Sequence, residues 1–147
     1  MRIEKINEVK NQMEVFLVNV LPKIAGSVSV GKCDVYIQKY EICADPEIDN
    51  LTNSYFVQGI VKQTYDYDKN TKCWFTKYRN RVPSVYKFSL SDAGVEQNPK
   101  YNDHRLYDNL VQAKTYGEAM YEQYTSNQTN KKEDPIKAYE RAMGILG

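Results

Sequence analysis

The 147-residue sequence has no apolar segment near the roughly 18 residues that a membrane-spanning helix requires. The apolar run Val15–Val18 is short, and charged residues precede it closely at Glu8, Lys10 and Glu14. A secretory signal has a longer apolar region, so we expect neither export nor membrane association.

Cysteine and histidine are both scarce. The three cysteines, Cys33, Cys43 and Cys73, form no CxxC pair, and without export they are expected to be free, reduced thiols. The single histidine, His104, could act as a general base because imidazole titrates near neutrality. It has no nucleophile or metal partner nearby in sequence, and Asp103 beside it is expected to cap a helix. We therefore predict no catalytic residue, no metal site and no cofactor.

Two segments come close to ligand-binding motifs. Residues 26–33 differ by one residue from a P-loop, with Cys33 where a Mg²⁺-binding hydroxyl is needed, and a strand is predicted to follow where a P-loop needs a helix. Residues 45–49 begin like a calcium loop, but Asn50 and Phe56 occupy the positions that need Gly and Glu. We interpret the resemblance of 26–33 to a P-loop as a coincidence, and we interpret 45–49 as an acidic turn.

Arginine is also scarce, with 5 Arg against 15 Lys, whereas Asn, Tyr and Ile are abundant. This bias indicates an AT-rich genome, such as that of a low-GC bacterium, of a phage that infects one, or of another mobile element. The expected location is the cytoplasm, the inside of an infected host cell, or a virion.

The sequence has ordinary globular composition, with 41% hydrophobic and 27% charged residues. Residues 3–21 carry apolar side chains at spacings of three and four, which predicts an amphipathic N-terminal helix that ends before Pro22. These positions are Ile3, Ile6, Val9, Met13, Phe16/Leu17 and Val20/Leu21.

Apolar residues then alternate, with many β-branched and aromatic side chains, over residues 28–43, 55–67, 72–79 and 84–91. A period of two predicts four strands, which we arrange as an antiparallel meander. In the second strand the alternation assigns one face to Tyr55, Val57, Gly59, Val61, Tyr65 and Tyr67.

A long helix is predicted to follow, with a heptad-like seam on one side. The seam consists of Leu106, Leu110, Ala113, Gly117, Met120 and Tyr124. The small Ala113 and Gly117 would allow a close contact, either with the protein's own sheet or with a partner or second copy. Residues 125–134 are predicted to be a polar linker before a short terminal helix. The predicted fold is thus an α+β domain over residues 1–124, followed by a linker and short helix over 125–147.

Acidic residues are absent from residues 69–91, which contain six basic residues. The flanking segments 1–68 and 92–147 are net negative, at −3 and −2. We call 69–91 the basic-aromatic hairpin, and in an extended chain its Lys77, Arg79 and Arg81 would share a face with Phe75. Its candidate binding residues are Lys72, Trp74, Lys77, Tyr78, Arg79, Arg81 and Lys87.

Three interpretations of this hairpin stay open. Basic groups beside aromatic rings suit an acidic protein partner, they suit nucleic acid, and they also suit a solvated sheet edge that discourages strand pairing. The sequence favours a non-catalytic binding protein that works through protein–protein contacts as an assembly component, adaptor or inhibitor. Nucleic-acid binding through the hairpin is the alternative, and an enzyme ranks third.

Overall fold

The computed structural model describes residues 1–25, 28–77, 84–98 and 100–131. In this part of the chain seven strands form one curled antiparallel sheet, and a single α-helix follows them. The strands are β1 Glu14–Ala25, β2 Val28–Ile42, β3 Glu47–Asp49, β4 Ser54–Asp68, β5 Cys73–Thr76, β6 Val85–Ser89 and β7 Arg105–Tyr107, and the helix is α1 Leu110–Lys131. The predicted α+β fold with a four-stranded sheet is therefore wrong, because the protein is mostly β.

The sheet is not a simple meander. Its main path runs β3-β4-β2-β1-β7, with β5 and β6 both paired to β4. β6 pairs with residues 56–60 of β4 and β5 pairs with residues 65–68, so the two short strands follow one another along the same edge. Within the described residues, the two strands of the basic-aromatic hairpin therefore pair with β4 and not with each other.

The predicted N-terminal helix is also wrong, because residues 3–21 contain only a 3-10 turn at Ile6–Glu8 before β1 begins. Both faces of β1 are buried: Val15 and Leu17 pack in one core, and Phe16 and Val18 pack in another. A strand buried on both faces has a continuous apolar run, and such a run also satisfies helical spacing.

Pro22, which we expected to end the helix, lies within β1. The N–H of Val20 points away from β2, since it donates to His104 Nδ1 at 3.1 Å. Pro22 is two residues further along and faces the same edge, beyond the short pairing with β7. Proline is tolerated there because, in the part of the chain that the structure describes, no strand pairs with that edge at Pro22 and so none needs its missing N–H.

Two cores lie on opposite faces of the sheet. The first is covered by the N-terminal segment and the turn after β6, and it is built on Ile3, Val9, Val15, Leu17, Tyr40, Ile42, Val57, Leu90, Ala93, Val95 and Leu106. The second is covered by α1, and it is built on Phe16, Val18, Val20, Cys33, Val35, Ile37, Tyr107, Ala113 and Met120.

A bulge in β4 redistributes its side chains between these cores. Lys39 pairs with Gln63 but the next residue, Tyr40, pairs with Val61, so β4 contains one extra residue at this point. Val57 and Val61 consequently pack in the first core, whereas Tyr65 and Tyr67 pack in the second. The single face predicted for 55–67 is wrong because alternation cannot reveal an inserted residue.

The long helix begins later than predicted and ends later. Asn109 caps it by accepting the N–H of Gln112 at 3.0 Å, so Asp103 is not the cap. Leu106 belongs to β7 and packs in the first core, away from α1. α1 continues to Lys131 through part of the predicted linker, and the predicted terminal helix lies outside the described residues. The division into 1–124 and 125–147 stays a prediction.

Candidate functional site

Part of the sheet face opposite α1, beyond the first core, is left uncovered by the described residues. Directly paired residues of neighbouring strands share a face, and the register places Asn19, Tyr36, Asp66 and Phe75 in one row across β1, β2, β4 and β5. We call this surface the open face, and its residues are Asn19, Leu21, Asp34, Tyr36, Gln38, Thr64, Asp66, Phe75 and Lys77. Each of them is half-buried or exposed.

Two concavities lie along the open face. The Asp34 concavity has a volume of about 360 Å³ and is lined by Leu21, Asp34, Val35, Tyr36, Asp66, Tyr67 and Lys77. The His104 concavity has a volume of about 400 Å³ and is lined by Leu17, Asn19, Gln38, Tyr40, Phe88, Ser89, Asp92, Ala93, Asn102 and His104. Both are in the size range of small-molecule sites, roughly 300–1,000 Å³.

The predicted lysines have intramolecular partners. Lys77 Nζ lies 2.8 Å from Asp66 Oδ2, and this hydrogen bond raises the pKa of Lys77. Lys72 Nζ is 3.9 Å from Glu122 Oε1, and Lys87 Nζ lies 3.7 Å from the centre of the Phe56 ring. The structure thus distributes these three lysines over different surroundings instead of gathering them in one patch.

The other predicted binding residues divide into two groups. Trp74 lies on the α1 side, where its Nε1–H donates to Glu118 Oε1 at 3.1 Å and its ring centre is 5.1 Å from that of Tyr67. Its indole therefore joins β5 to α1. Tyr78, Arg79 and Arg81 lie outside the described residues.

The predicted interface seam packs largely within the monomer. Ala113 and Met120 are buried in the second core, and Leu110 and Tyr124 pack against it. Gly117 is buried beside Trp74. Any partner that used this seam would have to displace the protein's own sheet from it.

The residue types of a serine hydrolase occur together in the His104 concavity, which contains Ser89, Asp92 and His104. A catalytic histidine would donate its Nδ1–H to the carboxylate and accept a proton at Nε2. Here Nδ1 accepts the N–H of Val20, and burial lowers the pKa of His104. The ring is therefore neutral, with its proton on Nε2, and it cannot serve as that base.

The weaker motifs have structural roles. Asp45 and Asp49 accept backbone N–H groups, from Asn11 at 2.8 Å and from Leu51 at 2.9 Å. After Lys32 the chain continues as β2, which is not the helix that a P-loop requires. Among the described residues no three His, Cys, Asp or Glu side chains cluster as a metal site. No helix in that part of the chain is both long and apolar enough to cross a bilayer.

The open face was not predicted from the sequence as a surface. The alternation correctly separated Phe75 from Trp74, but the neighbours of Phe75 come from β1, β2 and β4, and only the strand register brings them together. His104 and Asp92 enter the site through the connection between β6 and β7, which has no periodic pattern.

Comparison with known proteins identifies the family. A family model described as phage g100-like protein matches residues 3–120, which include all seven strands and the first half of α1. Searches of curated proteins and of solved structures gave no match. The phage association suggested by the composition is therefore confirmed at the level of the family. Because the match covers about four fifths of its length, the chain belongs to the phage g100-like protein family.

Proposed function

We propose that this phage protein is a non-catalytic binding protein whose open face contacts a protein partner. The observation that carries the proposal is the mixture of side chains on that face. Phe75 and Leu21 are 48% and 43% exposed, and Tyr36 lies between them among polar groups. Aromatic and aliphatic side chains on an otherwise polar surface are typical of protein interfaces.

The charges of the open face favour a protein over nucleic acid. Two carboxylates, Asp34 and Asp66, lie on this face, and each is paired with a lysine. Lys23 Nζ lies 3.5 Å from Asp34 Oδ2, and Lys77 Nζ lies 2.8 Å from Asp66 Oδ2. A phosphate that approached either lysine would meet the carboxylate already paired with it, and like charges repel. An assembly component, an adaptor and an inhibitor would all work through such a contact.

Site-specific photo-crosslinking in infected host cells tests the proposal. A photoreactive amino acid would replace Tyr36 on the open face. The matched control would carry it at Val111, which is 71% exposed on α1. We expect one discrete crosslinked protein from position 36 and none from position 111. No product at position 36, or the same products at both positions, would contradict the proposal.

A mobility-shift assay distinguishes the nucleic-acid alternative from the protein-partner proposal. The triple variant Lys77→Glu, Arg79→Glu, Arg81→Glu reverses three charges of the basic-aromatic hairpin. If wild-type protein retards nucleic acid at low salt, loses this binding steeply as salt rises, and the triple variant does not bind, the alternative replaces the protein-partner proposal. We expect no retardation by either protein.

A further inference from the structure

The His104 concavity is built from four separate segments of the chain. β1 contributes Leu17 and Asn19, β2 contributes Gln38 and Tyr40, β6 and the turn after it contribute residues within 88–93, and the segment before β7 contributes Asn102 and His104. Leu17 and Ala93 are buried and Phe88 is half-buried, so apolar groups form the base of the concavity. An apolar base with a few polar groups around it is the usual composition of a small-molecule site.

Hydrogen bonds within the concavity fix the polar groups but do not use all of them. Gln38 Oε1 accepts bonds from Asn19 Nδ2 at 3.3 Å and from Tyr40 OH at 3.1 Å. The His104 ring also hydrogen-bonds the backbone of Val18. The Nε2 donors of Gln38 have no acceptor among the described residues, and Asn19 Oδ1 has no donor there. Asp92 Oδ1 accepts the hydroxyl of Tyr101, which leaves Oδ2 available.

These groups define the chemistry of a fitting ligand. The N–H groups of Gln38 Nε2 and the two acceptors, Asn19 Oδ1 and Asp92 Oδ2, point to a molecule that both donates and accepts hydrogen bonds, as hydroxyl groups do. No Lys or Arg is among the lining residues, and Asp92 is a carboxylate, so a phosphorylated or carboxylated ligand is disfavoured. The N–H groups of Gln38 disfavour a cation, which could not accept hydrogen bonds from them.

We propose that the His104 concavity binds one neutral sugar residue, either as a free monosaccharide or as the end of a glycan. A pyranose ring has hydroxyl groups around its rim and C–H groups on its faces. The C–H face would lie on Leu17, Phe88 and Ala93, and the hydroxyls would bond Gln38 Nε2, Asn19 Oδ1 and Asp92 Oδ2. This inference does not depend on the protein partner proposed for the open face.

Titration of the isotopically labelled 147-residue protein tests the proposal. The probes are the methyl glycosides of glucose, galactose, mannose and N-acetylglucosamine, followed by nuclear magnetic resonance. For at least one of them we expect saturable shifts of the side-chain amide signals of Asn19 and Gln38 and of the His104 ring. Glucose 6-phosphate should bind more weakly than the glucoside. No saturable shift with any of the four glycosides, or tighter binding of the phosphate, would overturn the proposal.

Variants make the test specific to this concavity. Gln38→Ala should weaken binding about tenfold, since it removes a hydrogen bond that becomes buried on binding. Gln123→Ala, on the exposed part of α1, should bind like wild type. Asn19→Ala provides a second test if Gln38→Ala disturbs the spectrum as a whole. Equal affinity of wild type and both concavity variants would overturn the proposal. A disaccharide of the best-binding sugar then distinguishes the two sources of the ligand. Tighter binding of the disaccharide than of the methyl glycoside would indicate the end of a glycan, and equal binding would indicate a free monosaccharide.

Discussion

Trp74 and Gly117 are packed so closely that a Cβ atom at position 117 would lie 2.9 Å from Trp74 Cη2. The same atom would lie 3.0 Å from Val35 Cγ1. The absence of a side chain at position 117 therefore lets α1 approach β2 and lets the indole of β5 fit between them.

Gly117→Ala should destabilise the protein, although alanine is about 1 kcal/mol better than glycine within a helix. The added methyl group overpacks the contact with Trp74, and overpacking costs about 1–3 kcal/mol. Gly117→Leu should cost more. The free energy of unfolding, from urea denaturation, measures both effects.

A matched control and a second-site change make this result specific. Ala119→Leu is the control for Gly117→Leu, because it places a leucine on the exposed side of α1. It should change stability by less than about 0.5 kcal/mol. Trp74→Leu should reduce the cost of Gly117→Ala, since the two residues are in contact. If Gly117→Ala raises stability, or if light scattering shows that it alters only the mass of the particle, the seam does not pack as described.

The seam also shows how far the sequence could predict this fold. Positions 110–124 of the seam were assigned correctly to one helix, because spacing of three and four persists over several turns. Leu106 continues the same spacing by chance, although it lies in a strand on the other side of the sheet. Asn109, whose side chain caps α1, is the local signal in the sequence that the helix begins after Leu106.

His104 should make stability depend on pH. Burial lowers its pKa in the folded protein below the ordinary value of 6.5, so the unfolded chain binds the proton more readily. Unfolding is therefore favoured as pH falls below about 6.5, with a slope of at most about 1.4 kcal/mol per pH unit. Urea denaturation at pH 7.5, 6.5 and 5.5 measures this slope.

The variant His104→Gln is the control for this pH dependence. Glutamine can accept the N–H of Val20 through Oε1 but does not titrate. The variant should lose less stability than wild type between pH 7.5 and 5.5. Identical slopes for the two proteins would mean that His104 is not held in the neutral form.

The three thiols should react at different rates in the native protein. Cys73 is exposed and Cys43 half-buried, whereas Cys33 is buried and its pKa is raised to about 11 by that burial. A thiol reagent at pH 8 should modify Cys73 first and Cys33 last, because the thiolate is the reacting form. Cys73→Ser should remove the fastest phase. After denaturation without reductant the wild type should give three equivalents, and fewer would indicate a disulfide.

Gly94 should not tolerate a side chain. Its φ is +79°, and a Cβ there would lie 2.6 Å from the carbonyl oxygen of His104 and 2.8 Å from Arg105 Cδ. Arg105 is itself buried and donates to the carbonyls of Asn102 and His104 at 2.6 and 2.7 Å, so it has little room to move. Gly94→Ala should cost more than about 2 kcal/mol through overpacking and backbone strain.

The same substitution at Gly59 provides the comparison. There the nearest atom, Tyr40 Cδ1, would lie 3.1 Å from the new Cβ, and the backbone is not in the left-handed region. Gly59→Ala should therefore cost less than Gly94→Ala in the same urea titration. Equal losses at both positions would show that neither the contacts of the new Cβ with His104 and Arg105 nor the left-handed backbone sets the cost at Gly94.

The open face could not be predicted from the sequence, because its residues are brought together by strand pairing and not by local spacing. Alternation in Tyr55–Tyr67 identified a strand but not the bulge, which transfers Tyr65 and Tyr67 to the side of α1. A strand's neighbours are set by pairings distant in sequence, and one inserted residue reverses every later side chain. The excess of lysine and arginine in residues 69–91 predicted a single binding surface. In the structure Lys72, Lys77 and Lys87 have partners in three different places.

The alternation of β1 between the two cores has a consequence for how the protein unfolds. Val15 and Leu17 support one core, Phe16 and Val18 the other, and the four residues are consecutive. Neither core can lose its packing while this segment remains in place for the other, so both are expected to unfold in a single cooperative transition. Amide protons of 15–18 should then exchange with solvent only through global unfolding, which makes this segment the slowest-exchanging part of the chain.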